Sequence, residues 1–334
     1  MVIVIATASA PATLGRTLAS LIECVRPASF DRLLLVENGD RRGVEGVVQG
    51  LRGKLNAQYL FEPARSKTMA LNLALSYLNN ELVVFFDDDV RLAPTVLQCY
   101  ADAAETHGEG YYFGGPTSVD YEEEPPAWLK RFLPPSAVGH EIPCGTTEVQ
   151  YPSFFLGFNW AAFADDLKKC GGFHPDFGPG RRVSVGDESF MQFALNRRGI
   201  VGRYLPDARV WHSVPKDRCT PQWVLRRAYP NGFAAGAFSA YWAEERRQRL
   251  GLARSLREVL RSQIRRTGIK NILTCSNSGR LGIRVTLAYT RGFLAGYRYS
   301  RAERPFDPRP TLHASYQCGD AEMVLHKSTP GHAT

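Results

Sequence analysis

Leu82-Val83-Val84-Phe85-Phe86-Asp87-Asp88-Asp89-Val90 decides how this chain is read: five apolar residues run without interruption into three carboxylates. A wholly apolar run of that length fits a strand covered on both faces, as in a parallel sheet. Carboxylates repel one another and are costly to bury, so packing alone does not explain three in a row where such a strand ends. A divalent cation would explain them, because hard cations take oxygen ligands and cancel the repulsion. Held at the edge of a cleft, such a cation can clamp the phosphates of a nucleotide-linked substrate. The competing explanation is a polar turn in which Asp89 caps the segment opened by Pro94.

Upstream of the triplet the chain alternates regularly. Val2–Ala6, Leu33–Val36 and Gln58–Phe61 read as strands; Thr13–Cys24, Val44–Leu51 and Ser66–Leu78 have helical spacing. Short apolar strands alternating with helices predict βαβ units and an α/β fold built on a mixed, mainly parallel sheet with flanking helices. In such sheets ligands gather beyond the carboxyl ends of the strands. Thr7, Glu37, Glu62–Arg65 and Asp87–Asp89 all fall there, which favours the metal and nucleotide reading over the turn.

The remainder is less regular. Residues 111–152, with Gly114-Gly115-Pro116, Glu122-Glu123-Glu124-Pro125-Pro126 and Pro134-Pro135, predict a loop-rich excursion with little regular structure. Asp187-Glu188 opens a helical stretch to Arg198, and Val201–Trp211 reads as strand and turn before His212. Asp187 alone is explained as a helix cap, whereas two adjacent acids beside a cleft can supply a general base. His212, following Trp211, is a candidate third metal ligand, with a packed histidine as the alternative. The domains expected are a catalytic unit over 1–220, divided into a nucleotide-binding half (1–110) and an acceptor half (111–220). A basic helical region over 221–303 and a disordered tail over 304–334 complete the chain.

Bulk composition agrees with this reading. At 334 residues, 44% hydrophobic and 22% charged, the chain has ample core for a globular protein. Its net +8 is uneven: from Lys216 onward 21 Lys and Arg face 8 Asp and Glu, a net +13 that leaves −5 for residues 1–215. That basic third points to an anionic partner. On one predicted helix Arg254, Arg257, Arg261 and Arg265 form a stripe beside Leu252, Leu256, Leu260 and Ile264. The pattern suits packing on the body, the preferred reading, and also a helix on an anionic membrane surface. The seven cysteines are scattered with no CxxC pair, which speaks against a disulfide framework and a zinc site. Met1–Thr7 lacks the length and basic flank of a signal peptide, and no run is long enough to span a bilayer. The expected location is the cytoplasm, with peripheral contact at the inner face of the membrane as its variant.

Taken in order, these segments resemble the family-2 glycosyltransferases of the GT-A fold over about residues 1–240. Val2–Thr7 is similar to the opening strand that meets the nucleotide, and Leu35-Val36-Glu37-Asn38-Gly39-Asp40 to the segment whose acid binds the base, with Glu37 where Asp is usual. Ala64-Arg65-Ser66-Lys67 resembles the basic segment facing nucleotide and phosphate, and Asp87-Asp88-Asp89 the DxD motif. Gly186-Asp187-Glu188 resembles the later acid pair with its two acids exchanged, and His212, followed by Lys216, Arg226, Arg227, Tyr229 and Gly232, resembles the C-terminal metal or phosphate contact and the element after it.

The resemblance implies an inverting, metal-dependent hexosyl transfer from a nucleoside diphosphate sugar, uridine being the default base, to a hydroxyl on a saccharide, lipid-linked glycan or small molecule. It implies manganese or magnesium on Asp89, Asp87 and His212, and nucleotide contacts from Thr7, Glu37, Arg65, Lys67, Asp87 and Asp88. The base would be Glu188 or Asp187. Asn159 and Trp160 are candidates for a sugar or acceptor pocket, with Trp160 as core the alternative. Two other functions are weighed. A nucleotidyltransferase would carry a Gly-rich basic loop after the first strand, but Ala8–Leu14 has no basic residue. A non-catalytic binder using the basic third is permitted, although no RNA- or DNA-binding signature is present and nucleic acid is not an expected partner.

Overall fold

The computed structural model describes residues 1–143, 147–150, 153–181, 183–245, 251–274 and 276–303. The continuous apolar runs become strands covered on both faces: β1 (Val2–Thr7), β2 (Arg32–Asn38), β3 (Ala57–Glu62) and β4 (Leu82–Phe86). They are joined by helices α1 (Pro11–Glu23), α2 (Val44–Gly50) and α3 (Lys67–Ser76). Alternate strand residues serve opposite cores. Ile3, Ile5, Leu33 and Leu35 pack with Leu14 and Leu18 of α1, whereas Val2, Val4, Leu34 and Val36 pack with Ala70, Leu71 and Ala74 of α3. β1 pairs in parallel with β2 on one side and β4 on the other. The chain thus reverses direction across the sheet at β1, and the crevice this creates lies outside the carboxyl ends of β1 and β4.

Beyond β4 the structure departs from the sequence expectation. The triplet is followed directly by a short strand, β5 (Val90–Leu92), and α4 (Val96–His107) starts only after Thr95. Asp89 therefore caps no helix. The segment expected to be loop-rich opens with β6 (Tyr111–Gly114) and β7 (Thr117–Tyr121), followed by α5 (Ala127–Lys130) and β8 (Glu148–Val149). Its glycines mark close packing: a Cβ at Gly114 would lie 2.1 Å from the Phe155 ring, and one at Gly115 2.0 Å from the Ala208 carbonyl. There the chain crosses from one sheet to another.

β9 (Trp160–Phe163), α6 (Ala164–Lys169), α7 (Asp187–Arg197), β10 (Val201–Tyr204) and β11 (Val210–Val214) follow. β9 inserts antiparallel between β4 and β6, giving an eight-stranded sheet of order β3-β2-β1-β4-β9-β6-β10-β8. A separate three-stranded sheet has the order β5-β11-β7. His212 sits inside β11, not after a strand, and pairs in register with Val90.

The basic third is helical, as expected: α8 (Pro221–Glu245), α9 (Gly251–Thr267), α10 (Ile269–Leu273) and α11 (Asn277–Glu303). α8 and α11 run parallel and interlock through reciprocal glycines. A Cβ on Gly232 or Gly236 of α8 would strike the Tyr289 or Phe293 carbonyl at 2.0 and 1.9 Å; one on Gly292 or Gly296 of α11 would strike Tyr229 or Phe233 at 2.1 and 1.9 Å. The apolar face expected on α9 divides: Leu256 and Val259 pack against Phe293 and Tyr297, while Leu252, Leu260 and Ile264 are exposed. Among the described residues no helix is long and apolar enough to cross a membrane. The tail expected over 304–334 lies outside the described residues.

The glycine clasp is directly testable. Gly236→Ala forces backbone apart and is expected to cost about 1–3 kcal/mol, read as a lowered melting temperature. Gly46→Ala in α2, where a Cβ meets nothing within 4 Å, is expected to be neutral or stabilising by up to about 1 kcal/mol.

Candidate active site

The triplet turn is built by α1 as much as by β4. Thr17, buried among the apolar residues of α1, accepts the Val90 N–H at 3.0 Å and places its hydroxyl 2.9 Å from the Asp88 carbonyl and 2.7 Å from that of Val90. With the backbone so held, the three side chains point to different partners. The Thr7 hydroxyl donates to Asp88, and the Ser9 N–H donates to Thr7 Oγ1 at 3.1 Å. Lys67, at the start of α3, donates its ammonium to Asp87. Asp89 Oδ2 lies 3.4 Å from His212 Nε2 and 3.5 Å from Arg218 Nη1.

The small sheet brings His212 to this place. The Ser213 N–H donates to the Asp89 carbonyl at 2.8 Å, continuing the β5–β11 ladder by one step into the triplet. The imidazole stacks on Phe158 with ring centroids 4.8 Å apart, and its Nδ1 lies 2.6 Å from the Ser136 carbonyl. That carbonyl can only accept, so Nδ1 carries a proton and Nε2 is the nitrogen turned to Asp89.

The second acid pair stands at the start of α7. Gly186, at φ 87°, occupies the cap position, so Asp187 belongs to the first helical turn and is not the cap. Asp187 is buried against Gly178, whereas Glu188 is only partly buried and lies over Gly157, whose Cβ would meet its carboxyl at 3.3 Å.

Burial and charge split the acidities of these groups. Burial pushes Asp87 up to about 6 despite the pull of Lys67, with Asp89 adding to the rise. Asp88 is raised by burial, which outweighs its bond from Thr7. For Asp89 burial is overcome by His212 and Arg218, which hold it below the usual carboxylate range. Burial opposes the charged form of His212, yet Asp89, Asp87 and the Ser136 carbonyl raise it overall. Lys67 is likewise raised against its burial by Asp87, Asp187 and Glu188. Glu188 is pushed up to about 8, first by burial and then by Asp187, with Lys67 pulling the other way.

The remaining candidates are placed differently from one another. Glu37 is buried, its two oxygens taken by the Tyr59 hydroxyl at 2.6 Å and the Arg42 N–H. Its bonds thus shape the loop after β2. Arg65 is exposed and leans over Gly39 (φ 83°), where a Cβ would touch its side chain at 3.0 Å. Arg226 is exposed, while Arg227 is partly buried with no hydrogen-bond partner for its Nε among the described residues; burial and Arg218 lower its pKa, and Glu188 raises it. Asn159 and Trp160 are not pocket residues. Asn159 is fully buried between Tyr100, Pro116 and Ala208, and Trp160 stacks on Phe85 at 4.9 Å in the core. Asn159 precedes β9 and Trp160 opens it, and both are enclosed by the core. Thr17, Arg218, Ser136, Phe158 and Gly157 were not singled out from the sequence. Of these only Thr17 leaves a signal, a hydroxyl within the Leu14, Leu18, Leu21 stripe.

Among the described residues no three His, Cys, Asp or Glu side chains gather as a complete metal site. Asp87 pairs with Lys67. Asp89 Oδ2 and His212 Nε2, at 3.4 Å, stand at a separation that two adjacent ligands of one ion adopt, and the Nδ1 bond to Ser136 leaves Nε2 as the ligating nitrogen. The residues present thus suit an ion that takes two ligands from the protein and the others from substrate oxygens or water.

The family model of Glycosyl transferase family 2 matches residues 2–167, which contain β1–β4, the triplet and β9. Residues 2–167 are a glycosyl transferase family 2 domain. Over 232 residues the chain is 24% identical to the succinoglycan biosynthesis protein ExoM of Rhizobium meliloti (strain 1021), covering 66% of this chain and 69% of that protein. Its fold is similar to that of the mannosyltransferase PcManGT from Pyrobaculum calidifontis, solved with GDP-Man and Mn2+, at a TM-score of 0.50 and 17% identity over 91% of this chain and 81% of the other. It is equally similar to S. aureus TarS 1–349 in complex with UDP-GlcNAc, at a TM-score of 0.50 and 14% identity over 91% of each chain. The GT-A architecture expected from the sequence is therefore present, and the chain is a glycosyltransferase. Asp187, Glu188, His212, Arg218 and Arg227 lie beyond the matched segment and reach the family 2 domain only through the fold.

Glu188 carries a pH-linked prediction. Its folded pKa of about 8 exceeds the ordinary 4.5, so the folded state holds the proton more tightly. The stabilisation is complete below pH 4.5 and is lost as pH rises through about 8. Glu188→Gln is expected to melt near the parent at pH 5 and above it at pH 9, by an amount on the order of a few kcal/mol. Thermal melts across that range check it; a constant difference would show that the carboxyl titrates normally.

Proposed function

We propose that this glycosyltransferase moves a hexosyl group, with inversion, from a uridine diphosphate sugar to a hydroxyl of a saccharide acceptor in polysaccharide assembly. The observation that carries this is the single ammonium of Lys67 between two acid clusters, one suited to phosphate and metal, the other to proton transfer. The saccharide acceptor is taken from the likeness to a succinoglycan biosynthesis protein. Asp89 and His212 would hold manganese or magnesium, which when bound neutralises the charge that collects on the leaving diphosphate. Arg218 and Arg227, both on the side of Asp89 and Glu188, add fixed positive charge at that place.

Glu188 is the base in this reading. It is the more exposed of the two acids, and a carboxylate with a pKa near 8 takes a proton well at neutral pH. The acceptor oxygen bonds to the anomeric carbon while its proton passes to Glu188. The bond from that carbon to the phosphate oxygen breaks on the opposite face, and the nucleoside diphosphate departs. Asp187, buried beside Glu188, keeps the carboxyl in place and its pKa high.

A thermal-shift panel of uridine, guanosine and thymidine diphosphate sugars with manganese tests the donor, since a ligand at 100 times its Kd stabilises by about 2.7 kcal/mol. The uridine compounds are expected to stabilise the parent and Glu188→Gln alike, and to leave Asp89→Ala unmoved. Transfer by Glu188→Gln is expected to fall at least about 100-fold. The parent's kcat/KM is expected to rise with pH through about 8, a limb missing from the variant. If Asp187→Asn is dead and Glu188→Gln active, the base is Asp187.

A further inference from the structure

Ten large apolar side chains are exposed among the described residues, and seven of them lie between residues 252 and 287. The most exposed are Leu273 at 78%, Ile269 at 65% and Leu287 at 60%. They come from elements packed on one another: a Cβ on Gly279 would lie 2.0 Å from the Asn271 carbonyl, and one on Gly282 2.2 Å from the Thr267 side chain. Ile283 and Leu287, four residues apart on α11, share a helix face with Arg280, Arg284 and Arg291. On α9, Leu260 and Ile264 border the exposed Arg257 and Arg261. Residues 251–303 hold 11 Lys and Arg against 2 Asp and Glu.

We propose that the outer surface of α9–α11 is a docking face for an anionic lipid bilayer, with Leu273, Ile269 and Leu287 entering the interface and the arginines meeting lipid phosphates. Interleaved aliphatic and cationic side chains match the boundary between acyl chains and anionic headgroups. A second copy of the chain is disfavoured, because two faces each carrying net +9 would meet. Nucleic acid is disfavoured as well. It rewards stacking aromatics, and the apolar groups exposed between 252 and 287 are all Leu or Ile.

The face also has a defined relation to the site. α8 receives Gly186, the cap of the catalytic helix α7, on Ala234 and Phe238, and receives α11 on the side of Gly232 and Gly236, opposite by helical periodicity. The bilayer face of α11 therefore points away from the acids, with α8 between them. An acceptor anchored in the same bilayer must then reach past α8 to Glu188.

Flotation of the full chain with vesicles tests the proposal without any transfer assay, so it stands or falls separately from the proposed reaction. Vesicles of phosphatidylcholine with about one-third phosphatidylglycerol are expected to retain at least about tenfold more protein than phosphatidylcholine alone, and high salt is expected to weaken this. The double variant Leu273→Asp/Leu287→Asp is expected to lose at least about tenfold in retention at an unchanged melting temperature. Should it not fold, Arg257→Gln/Arg261→Gln/Arg284→Gln, which keeps the apolar groups, is expected to lose the preference for anionic lipid. Equal retention on both vesicle types, or full retention by the variants, overturns the proposal. So does a dimer in light scattering that Leu273→Asp dissolves while vesicles retain nothing, and so does salt-sensitive RNA capture without vesicle binding.

Discussion

Five carboxylates converge on the crevice at the carboxyl ends of β1 and β4, and the Lys67 ammonium is what lets them share it. Lys67 donates to Asp87 and is held charged by Asp87, Asp187 and Glu188 together. Buried like charges cannot all ionise without compensation. Here the compensation is distributed: Lys67 serves Asp87 and the α7 pair, while His212 and Arg218 serve Asp89. Burial, together with the like charges that the cations leave unbalanced, raises the pKa to about 6 at Asp87 and about 8 at Glu188, while Asp89 stays readily ionised. The carboxyl most able to accept a proton and the one most able to hold a cation are thereby separated by environment, although both are simple acids.

The scaffold places these groups by three separate devices. The parallel arrangement of β1 and β4 brings Thr7 beside the triplet, and Thr17 of α1 fixes the turn. The β5–β11–β7 sheet carries His212 to Asp89 by backbone pairing, so the histidine's position is set by register and not by its own bonds alone. The third device is the helical unit. α8 supports the start of α7 through Ala234 and Phe238, and is itself held by the glycine clasp with α11. A bulkier residue in that clasp would act on the acids of α7 at second hand, through α8.

Family 2 membership covers only the first of these devices and part of the second, since the match ends at residue 167. The residues that complete the site come from the less typical part of the chain. From Lys216 onward the chain also differs in charge, net +13 against −5 for residues 1–215.

Periodicity alone determined the strands β1–β4, the helices between them and the placing of Thr7 and Asp87–Asp89 at strand ends. Those features follow from which residues avoid water at spacings of two or 3.6, a property each segment carries by itself. The helical character of the basic third was legible for the same reason. The strands of the 111–152 stretch were not, because Gly114-Gly115-Pro116 has the composition of a turn, and only the contacts with Phe155 and Ala208 show why small residues are needed there. Asn159 and Trp160 illustrate the same limit: amides and indoles suit sugars and cores equally, and the neighbouring strands decide. The partners of each acid were likewise decided only by tertiary structure. Lys67 to Asp87, and His212 and Arg218 to Asp89, are pairings across 20 to 129 positions. Charge interaction depends on distance and burial in space, and neither is written in the spacing of residues along the chain.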